Sequence, residues 1–402
     1  MEYRLGDLYE VSNGLSKSGD CFGSGYPFLS FSTVFNNYFI PSEIDSLVQS
    51  TEKEQKTYSI KCGDIFITRT SETAEELGMS CVALKDYPTA TFNGFCKRLR
   101  PITNLTYPLY MGYYLRTPLF RANFLKVASL ITRASLRNED LLKFKVDLPD
   151  IDTQKKIADT LFLYDTLILN NNQRIATLER MAENLYKEWF VRFRFPGYES
   201  AEFENGLPKG WEILQAQNIF DITIGRTPDR KQFDYFTNNE NDALWVSISD
   251  MKDNMFITRS SEYLTAEAIS KVNMPMVEPN TVLLSFKLSV GRVAITTKLS
   301  CTNEAIAHFK SKDKELLEYT YLYLKLFNYQ NLGNTSAIGN AVNSTIIKKM
   351  KFIMPDRNLL EMFHNNAKNI FSEIKDLKHS NENLIQQRDL LLPRLMSGKL
   401  EV

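Results

Sequence analysis

The sequence lacks most features that mark a secreted, membrane-spanning or cysteine-rich protein. Its 402 residues contain only five cysteines, without a CxxC pair, and three histidines. An odd, scattered set of cysteines argues against a disulfide framework and against a cysteine zinc site. No apolar run reaches the ~20 residues of a membrane helix, and the charged start MEYRLGDLYE is unlike a secretory signal. These absences predict a cytoplasmic protein that spans no membrane and binds no metal.

Two catalytic signatures are also missing. The chain has no Pro-Pro, which the Asn/Asp-Pro-Pro-Tyr/Phe element of an adenine methyltransferase requires, and no GxxxxGK[S/T] phosphate loop. One weak nuclease pattern is present, because Pro228-Asp229 is followed by Asp250 and Lys252. In that pattern two carboxylates hold a metal ion and the lysine steadies the attacking water. A stand-alone metal-dependent nuclease using Asp229, Asp250 and Lys252 is therefore an alternative hypothesis.

Charge is balanced over the whole chain but not locally. Forty-eight basic residues match forty-eight acidic ones, which excludes a protein that attracts nucleic acid through its total charge. Between residues 97 and 145, however, ten basic residues accompany only Glu139 and Asp140, a local net charge of +8 (10 − 2). Such a concentration is typical of a phosphate-binding surface. A solvated helix face is the alternative interpretation.

The chain repeats itself once. Residues 63–68 resemble residues 280–285, which lie 217 positions later, and residues 144–150 resemble residues 350–356, which lie 206 positions later. Each half contains β-branched segments typical of strands and one long helical pattern. The repeat predicts an α+β fold with mixed α/β domains at residues 1–150 and 196–355. Long helices are predicted at residues 151–195 and 356–402.

The two long helical segments carry the strongest pattern. Seam positions recur in steps of four and three from Ile157 to Trp189 and from Phe363 to Leu395, which is typical of a coiled coil. About 40 residues at ~1.5 Å each would form a rod of roughly 60 Å. One antiparallel register places Asn171 opposite Asn381, and such a buried pair would fix the register at a cost in stability. Registers shifted by one heptad, and helices packed separately on their own domains, are the alternatives.

A duplicated domain-plus-helix chain with these motifs resembles the DNA-specificity (S) subunit of type I restriction–modification systems. The resemblance rests on Leu148-Pro149 followed by the sequence QKKI at residues 154–157, and on the closing sequence LLPRLMSGKL at residues 391–400. It spans essentially the whole chain. The second helix departs from the pattern, since it lacks a QKKI sequence near its start.

The resemblance implies a non-catalytic subunit with two target-recognition domains, each of which reads one half of a split double-stranded DNA target. It implies that the two helices form an antiparallel coiled coil that separates the domains and docks two modification (methyltransferase) subunits, with restriction subunits completing the nuclease. S-adenosylmethionine, ATP and Mg²⁺ would then bind the partner subunits, and no cofactor would bind this chain. A coiled-coil scaffold without DNA contact is a further alternative.

Base reading needs Arg, Lys, Asn or Gln side chains on loops or helix ends that can reach a groove. The first half has four such residues in predicted loops or at predicted helix ends. In the second half, the segments that correspond to them by the internal repeat contain five. We therefore predict DNA contacts at Lys17, Arg69, Arg133, Arg137, Arg226, Arg230, Lys287, Asn340 and Asn343.

Overall fold

The computed structural model describes residues 1–71, 77–127, 129–130, 134–135, 137–332 and 342–401. The chain divides into two compact units. The first unit comprises Met1–Ile168 together with Asn383–Val402, and the second comprises Leu169–Glu382. Each unit therefore contains one mixed domain and one end of both long helices.

The described part of the first domain consists of short strands and short helices. Its strands are β1 (Glu2–Arg4), β2 (Tyr9–Asn13), β3 (Phe22–Leu29), β4 (Leu47–Val48), β5 (Ile65–Thr68), β6 (Thr70–Ser71), β7 (Ser80–Val82), β8 (Thr91–Phe92), β9 (Cys96–Pro101), β10 (Ser129–Leu130), β11 (Ala134–Ser135) and β12 (Lys145–Asp147). Its helices are α1 (Leu5–Leu8), α2 (Phe31–Asn36), α3 (Glu52–Thr57), α4 (Pro108–Tyr114), α5 (Pro118–Val127) and α6 (Asn138–Lys143).

An antiparallel sheet in the order β2-β9-β5-β7 forms the centre of the first domain. All four residues of β5 are buried, as expected for an apolar strand that is covered on both faces. Smaller sheets surround it in the orders β4-β3-β8, β10-β11-β6 and β1-β12. The pairing of β1 with β12 brings the two ends of the domain together.

The first long helix, α7 (Ile151–Tyr186), continues directly into a π-helical turn, Lys187–Val191. The second domain then adds β13 (Phe203–Glu204), β14 (Leu207–Pro208), β15 (Glu212–Gln215), β16 (Asp221–Ile224), β17 (Phe236–Thr237), β18 (Ala243–Val246), β19 (Phe256–Ile257), β20 (Glu262–Leu264), β21 (Val282–Ser285), β22 (Val293–Thr296), β23 (Ser300–Thr302), β24 (Ile306–Lys310) and β25 (Lys351–Met354). Its helices are α8 (Ala216–Ile219), α9 (Ala266–Val272), α10 (Leu317–Leu326) and α11 (Ser344–Lys348), and the chain closes with the second long helix, α12 (Arg357–Met396).

The second domain repeats the plan of the first. Its central sheet runs β16-β24-β21-β22-β19, and β15 pairs with β25 as β1 pairs with β12. Gly63 lies two residues before β5, and Asn280 lies two residues before β21. Both have left-handed backbones, with φ of +86° and +61°. Glycine and asparagine are the residues that tolerate this conformation best. The α+β fold with two mixed domains and two long helices is thus confirmed.

Both long helices begin with an aspartate cap, which satisfies amides that have no partner inside the helix. The Asp150 carboxylate accepts from the amides of Asp152 and Thr153 at 3.1 and 3.0 Å. The Asp356 carboxylate accepts from the Leu359 amide at 3.0 Å. The Pro-Asp pairs of the sequence therefore mark where these helices start.

The helices pair antiparallel within each unit. In the first unit, Ile157 of α7 shares a buried apolar core with Leu395 of α12, while Asp165 forms an ion pair with Arg388. In the second unit the Asn171 amide donates to the Asn381 side-chain oxygen at 2.9 Å. The second unit also pairs Arg174 with Glu373 at 2.6 Å. In each unit, rising residue numbers on one helix therefore meet falling numbers on the other. Within the described residues, we find no helix that is long and apolar enough to cross a membrane.

Candidate nucleic-acid interface

A group of polar side chains gathers where β2, β5 and β9 of the first domain meet. The Lys97 ammonium, on β9, donates to the side-chain oxygens of Asn13, at 3.0 Å, and of Asn138 at the start of α6. The Arg69 guanidinium donates to the same Asn13 oxygen at 3.3 Å. Asn138 follows Arg137, an exposed residue at the N-terminal cap of α6. The fold therefore gives Arg69 and Lys97 a shared acceptor in Asn13, and it bonds Lys97 to the residue that follows Arg137 in the chain.

Of the other two predicted contact residues in the first half, one forms an ion pair and one lies outside the described residues. Lys17 forms an ion pair with Glu54 at 2.7 Å. Donation by Lys17 and by the Thr51 amide lowers the pKa of the Glu54 carboxyl to about 2, so this carboxylate stays charged across the physiological pH range. Arg133 lies outside the described residues.

Much of the positive charge between residues 97 and 145 is used inside the fold. Arg100 bonds the buried Asp64 carboxylate at 2.7 and 2.5 Å. The Arg116 side chain donates to the Ser80 carbonyl at 2.7 Å and to other backbone carbonyls, and its burial lowers the pKa of the guanidinium. The Arg98 guanidinium is also buried, and desolvation lowers its pKa. The local net charge therefore overstates the cationic surface that this segment presents.

In the second domain, three predicted residues lie around one aromatic and acidic group. Arg230 bonds both oxygens of Glu262 at 2.6 and 2.9 Å and stacks 4.6 Å from the ring centre of Trp245. The Trp245 indole donates to the Arg226 carbonyl at 3.4 Å. Lys287 is exposed. Together with the Thr227 hydroxyl, which has the largest effect, Lys287 and Arg230 lower the pKa of the Glu304 carboxyl.

The remaining predicted residues of the second half lie elsewhere or outside the described chain. Asn343 caps α11, and its side-chain oxygen accepts from the Ile346 amide at 3.0 Å. Its amide group is still available, since the residue is exposed. Asn340 lies outside the described residues. The Arg226 guanidinium donates to the carbonyls of Val272 and Asn273 at 2.7 and 3.3 Å, so it bonds the C-terminal end of α9.

The structure adds a repeated loop crossing that sequence reasoning missed. A Cβ atom at Gly14 would lie 2.0 Å from the carbonyl oxygen of Asn93, and one at Gly225 would lie 2.2 Å from that of Asn303. Both glycines directly follow the first strand of the central sheet, so the chain crosses at the same place in each domain. Only glycine permits so close an approach. An alignment of the two halves by strand pairing would have paired these residues.

The nuclease pattern does not form a metal site. The Asp250 carboxylate accepts from the amides of Ser247 and Ser261 at 2.8 and 2.9 Å, which ties both oxygens to the backbone of its own loop. One Asp229 oxygen accepts from the Lys231 amide at 3.0 Å. A search of the described residues finds no group of three His, Cys, Asp or Glu side chains that could hold a metal ion.

Comparison with known proteins agrees with the duplicated plan. The sequence profile of the family described as "Type I restriction modification DNA specificity domain" matches residues 1–180 and 208–386. The type I restriction enzyme HindI specificity subunit of Haemophilus influenzae is 23% identical, and the alignment covers 99% of each chain. The type I restriction enzyme MjaIX specificity subunit of Methanocaldococcus jannaschii is also 23% identical, over 99% of this chain and 93% of the relative.

Among solved structures, the S subunit of a type I restriction–modification system from M. genitalium aligns with a TM-score of 0.58. The alignment covers 98% of this chain and 95% of the other, at 11% sequence identity. At that identity the likeness shows a shared fold.

Proposed function

Because the chain belongs to the family of type I restriction–modification DNA specificity domains, we propose that it is the specificity subunit of such a system. It is a non-catalytic protein that binds a bipartite double-stranded DNA target. One observation carries the proposal: the family profile matches the chain twice, and each matched segment builds a central sheet with four antiparallel strands in the same order. Each segment also pairs a strand near its start with the last strand of its domain, β1 with β12 and β15 with β25.

Each domain reads one half of the target in this proposal. The target-recognition domains are residues 1–150 and 196–355, and α7 and α12 join them. Specificity then comes from the sum of two weak, separate readings, and each mismatch in a half-site costs ~1–3 kcal/mol. Neither domain needs a catalytic group for this role.

Among the predicted contact residues, Arg137 and Lys287 have the most suitable surroundings. Both side chains are exposed, and neither forms an ion pair within the described residues. Lys17 and Arg230 already bond carboxylates, so a DNA contact there would have to compete with an existing partner. Arg133 and Asn340 stay as predictions from the sequence.

Partner subunits supply the chemistry in this proposal. Two modification subunits dock on the paired helices and carry S-adenosylmethionine, and restriction subunits bring ATP and Mg²⁺ to the complex. This chain itself binds no cofactor, and the complex works in the cytoplasm. The nuclease alternative loses support on two grounds, because the relatives are specificity subunits and because Asp250 is engaged by its own loop.

The decisive experiment uses the chain alone and the chain with its modification subunits. The methylome of cells that carry the complete system gives the target sequence. The assembled methyltransferase should bind a duplex with that split target and should lose most of its affinity when either half is scrambled. The chain alone should not cut DNA in Mg²⁺. Cleavage by the chain alone, abolished by Asp250→Asn, would support the nuclease instead.

A further inference from the structure

Lys97 is a buried cation whose hydrogen-bond partners, among the residues that the structure describes, are all neutral. Its side chain is 2% exposed, and its ammonium donates to the side-chain oxygens of Asn13 and Asn138. A buried charge is normally paired with an opposite charge, because the desolvation cost is large otherwise. The described part of this site, however, contains no carboxylate partner for Lys97.

A second cation shares this site. The Arg69 guanidinium donates to the same oxygen of Asn13 at 3.3 Å, and its Nε atom is buried without a hydrogen-bond partner among the described residues. Burial and then the charge of Arg69 lower the pKa of Lys97 to about 8. On α6, which also packs here, Arg137, Glu139 and Asp140 are not among the causes of this shift.

The two amides connect Lys97 to surface elements. Asn13 ends β2 and precedes the loop crossing at Gly14. Asn138 opens α6 directly after the exposed Arg137. One ammonium thus fixes the ends of two chain segments, each of which is next to a cation that is at least partly exposed.

We propose that Lys97 is a positioning residue for DNA binding: through Asn13 and Asn138 it orients Arg69 and Arg137 toward a backbone phosphate of the first half-site. The phosphate supplies a negative charge that the described residues of the site do not provide. The inference rests on the proposed function and deepens it, since it names the anion and the residues of one domain that hold it.

The second domain provides an internal control. Lys97 pairs with Asn13 on β2 in the register of the central sheet, and the corresponding pair of the second domain is Ala307 with Ile224. Each pair ends its first strand directly before the crossing glycine, Gly14 or Gly225. The second half-site should therefore show none of the effects expected of Lys97.

A neighbouring phosphate favours protonated Lys97, so binding above pH 8 must take up a proton. In the free protein the pKa of Lys97 is about 8. The uptake of one proton by this lysine on binding therefore lowers DNA affinity about tenfold between pH 7 and pH 9. Folding has the opposite dependence. Unfolded lysine has a pKa of ~10.4, so between pH 8 and that value the unfolded chain binds more protons and folding stability rises with pH.

The test compares the full chain, assembled with its modification subunits, as wild type, Lys97→Met and Lys145→Met. Lys145 is the matched control, because it is an exposed lysine of the same domain that pairs with Glu2. Affinity is measured from pH 7 to pH 9 on duplexes with the intact target, with the first half scrambled and with the second half scrambled. Urea unfolding of each free chain is measured over pH 8–10.

We expect wild type and Lys145→Met to lose affinity for the intact target about tenfold over this pH range. Lys97→Met should bind about tenfold more weakly than wild type at pH 7, with little dependence on pH. In urea, wild type should gain stability with pH relative to Lys97→Met. If Lys97→Met does not fold, Asn138→Asp serves instead: its carboxylate should raise the lysine pKa and move the affinity loss above pH 9.

Parallel pH profiles for wild type and Lys97→Met would overturn the inference and leave the proposed function intact. If the wild-type complex did not distinguish the intact target from scrambled DNA, the proposed function itself would fail, and the inference with it.

Discussion

A basic side chain occupies the same place in the centre of both sheets. Arg98 lies opposite Ser12 and donates to its hydroxyl at 3.1 Å. His308 lies opposite Thr223, and its two ring nitrogens are 2.9 and 2.7 Å from the hydroxyls of Thr223 and Thr302. Hydroxyl groups can donate to one nitrogen and accept from the other, which suits a neutral imidazole. The two domains thus place different basic residues, each bonded to a hydroxyl group, at the same position of the central sheet.

His308 makes the second domain sensitive to acid. Burial lowers the pKa of His308 to about 3, so below the unfolded value of ~6.5 only the unfolded chain binds the proton. Stability is therefore fully present above pH 6.5 and is lost as pH falls, by up to ~1.4 kcal/mol per pH unit. Urea unfolding at pH 7 and pH 5 should show a smaller acid loss in His308→Gln than in wild type. His379→Gln, at an exposed histidine, is the control, and an unchanged acid loss in His308→Gln would contradict the expectation.

Asp64 is the buried anion of the first domain, with 1% of its surface exposed. It bonds Arg100 through both oxygens and also accepts from the Lys61 amide at 2.8 Å. Asp64→Ala should cost ~3–5 kcal/mol, because it leaves a partly buried guanidinium without its opposite charge. The exposed pair of Glu2 and Lys145 is the comparison, and Glu2→Ala should cost less than ~1 kcal/mol. Equal losses in urea unfolding would contradict this assignment.

For individual residues, the sequence predicted where cationic side chains are concentrated better than it predicted what each of them contacts. The density of cations after residue 97 was visible, but the inward direction of Arg100 and Arg116 was not. Their partners are Asp64 and the Ser80 carbonyl, each 36 residues away. Strand pairing brings such residues together, and the contacts that it creates cannot be predicted from composition. Lys97 was missed for the same reason, since its acceptors come from β2 and α6.

Among the elements, the long helices were the easiest to predict. Their seam repeats over about ten turns, so the pattern far exceeds what chance produces in a short window. Many strands of the domains have only two or three residues, too few to show an alternating pattern. Fold class followed from the helices and the repeat, and the family followed from these together with the motifs at residues 148–157 and 391–400. Both predictions are confirmed. The smaller sheets could not be predicted.

An asparagine pair interrupts the seam in the second unit. The Asn171 amide donates to Asn381 at 2.9 Å, and the Asn381 amide donates to Asn172 at 2.8 Å. We propose that this pair fixes the register of the helices. Replacing Asn171 and Asn381 together by Leu should raise the melting temperature, because two polar groups leave an apolar seam. Either single replacement should be worse than both. Asn171→Leu leaves the buried Asn381 side-chain oxygen without its donor, and Asn381→Leu leaves the Asn171 amide without its acceptor.

Calorimetry of the two single variants and the double variant forms a double-mutant cycle for this prediction. Coupling of at least ~0.5 kcal/mol is expected for residues in contact. Additive effects of the two replacements would remove the pair as a register device, although the coiled coil itself would stand.

For the whole molecule, separate reading by the two domains predicts that specificity can be exchanged by halves. Replacing residues 1–150 with the first domain of a related subunit should change one half of the methylated motif and leave the other half unchanged. The apolar surface against Ile157, Leu161 and Leu395 must be matched in the donor, because these helix residues belong to the core of the first unit. Methylome sequencing gives the answer directly, and a change in both halves would contradict independent reading.

The composition of the first unit has a consequence for how the cell makes this protein. Leu392 and Leu395 are buried in the same core as Leu8 and Tyr110, yet the ribosome adds them some 280 residues after Tyr110. All of the second unit, Leu169–Glu382, is synthesised between these two points. The second unit therefore has all of its residues before the first unit does. Until translation reaches the last turns of α12, the first domain has apolar surface without its cover. The nascent chain therefore spends most of its synthesis with its earliest domain incomplete, and this is the period in which a chaperone would be needed most.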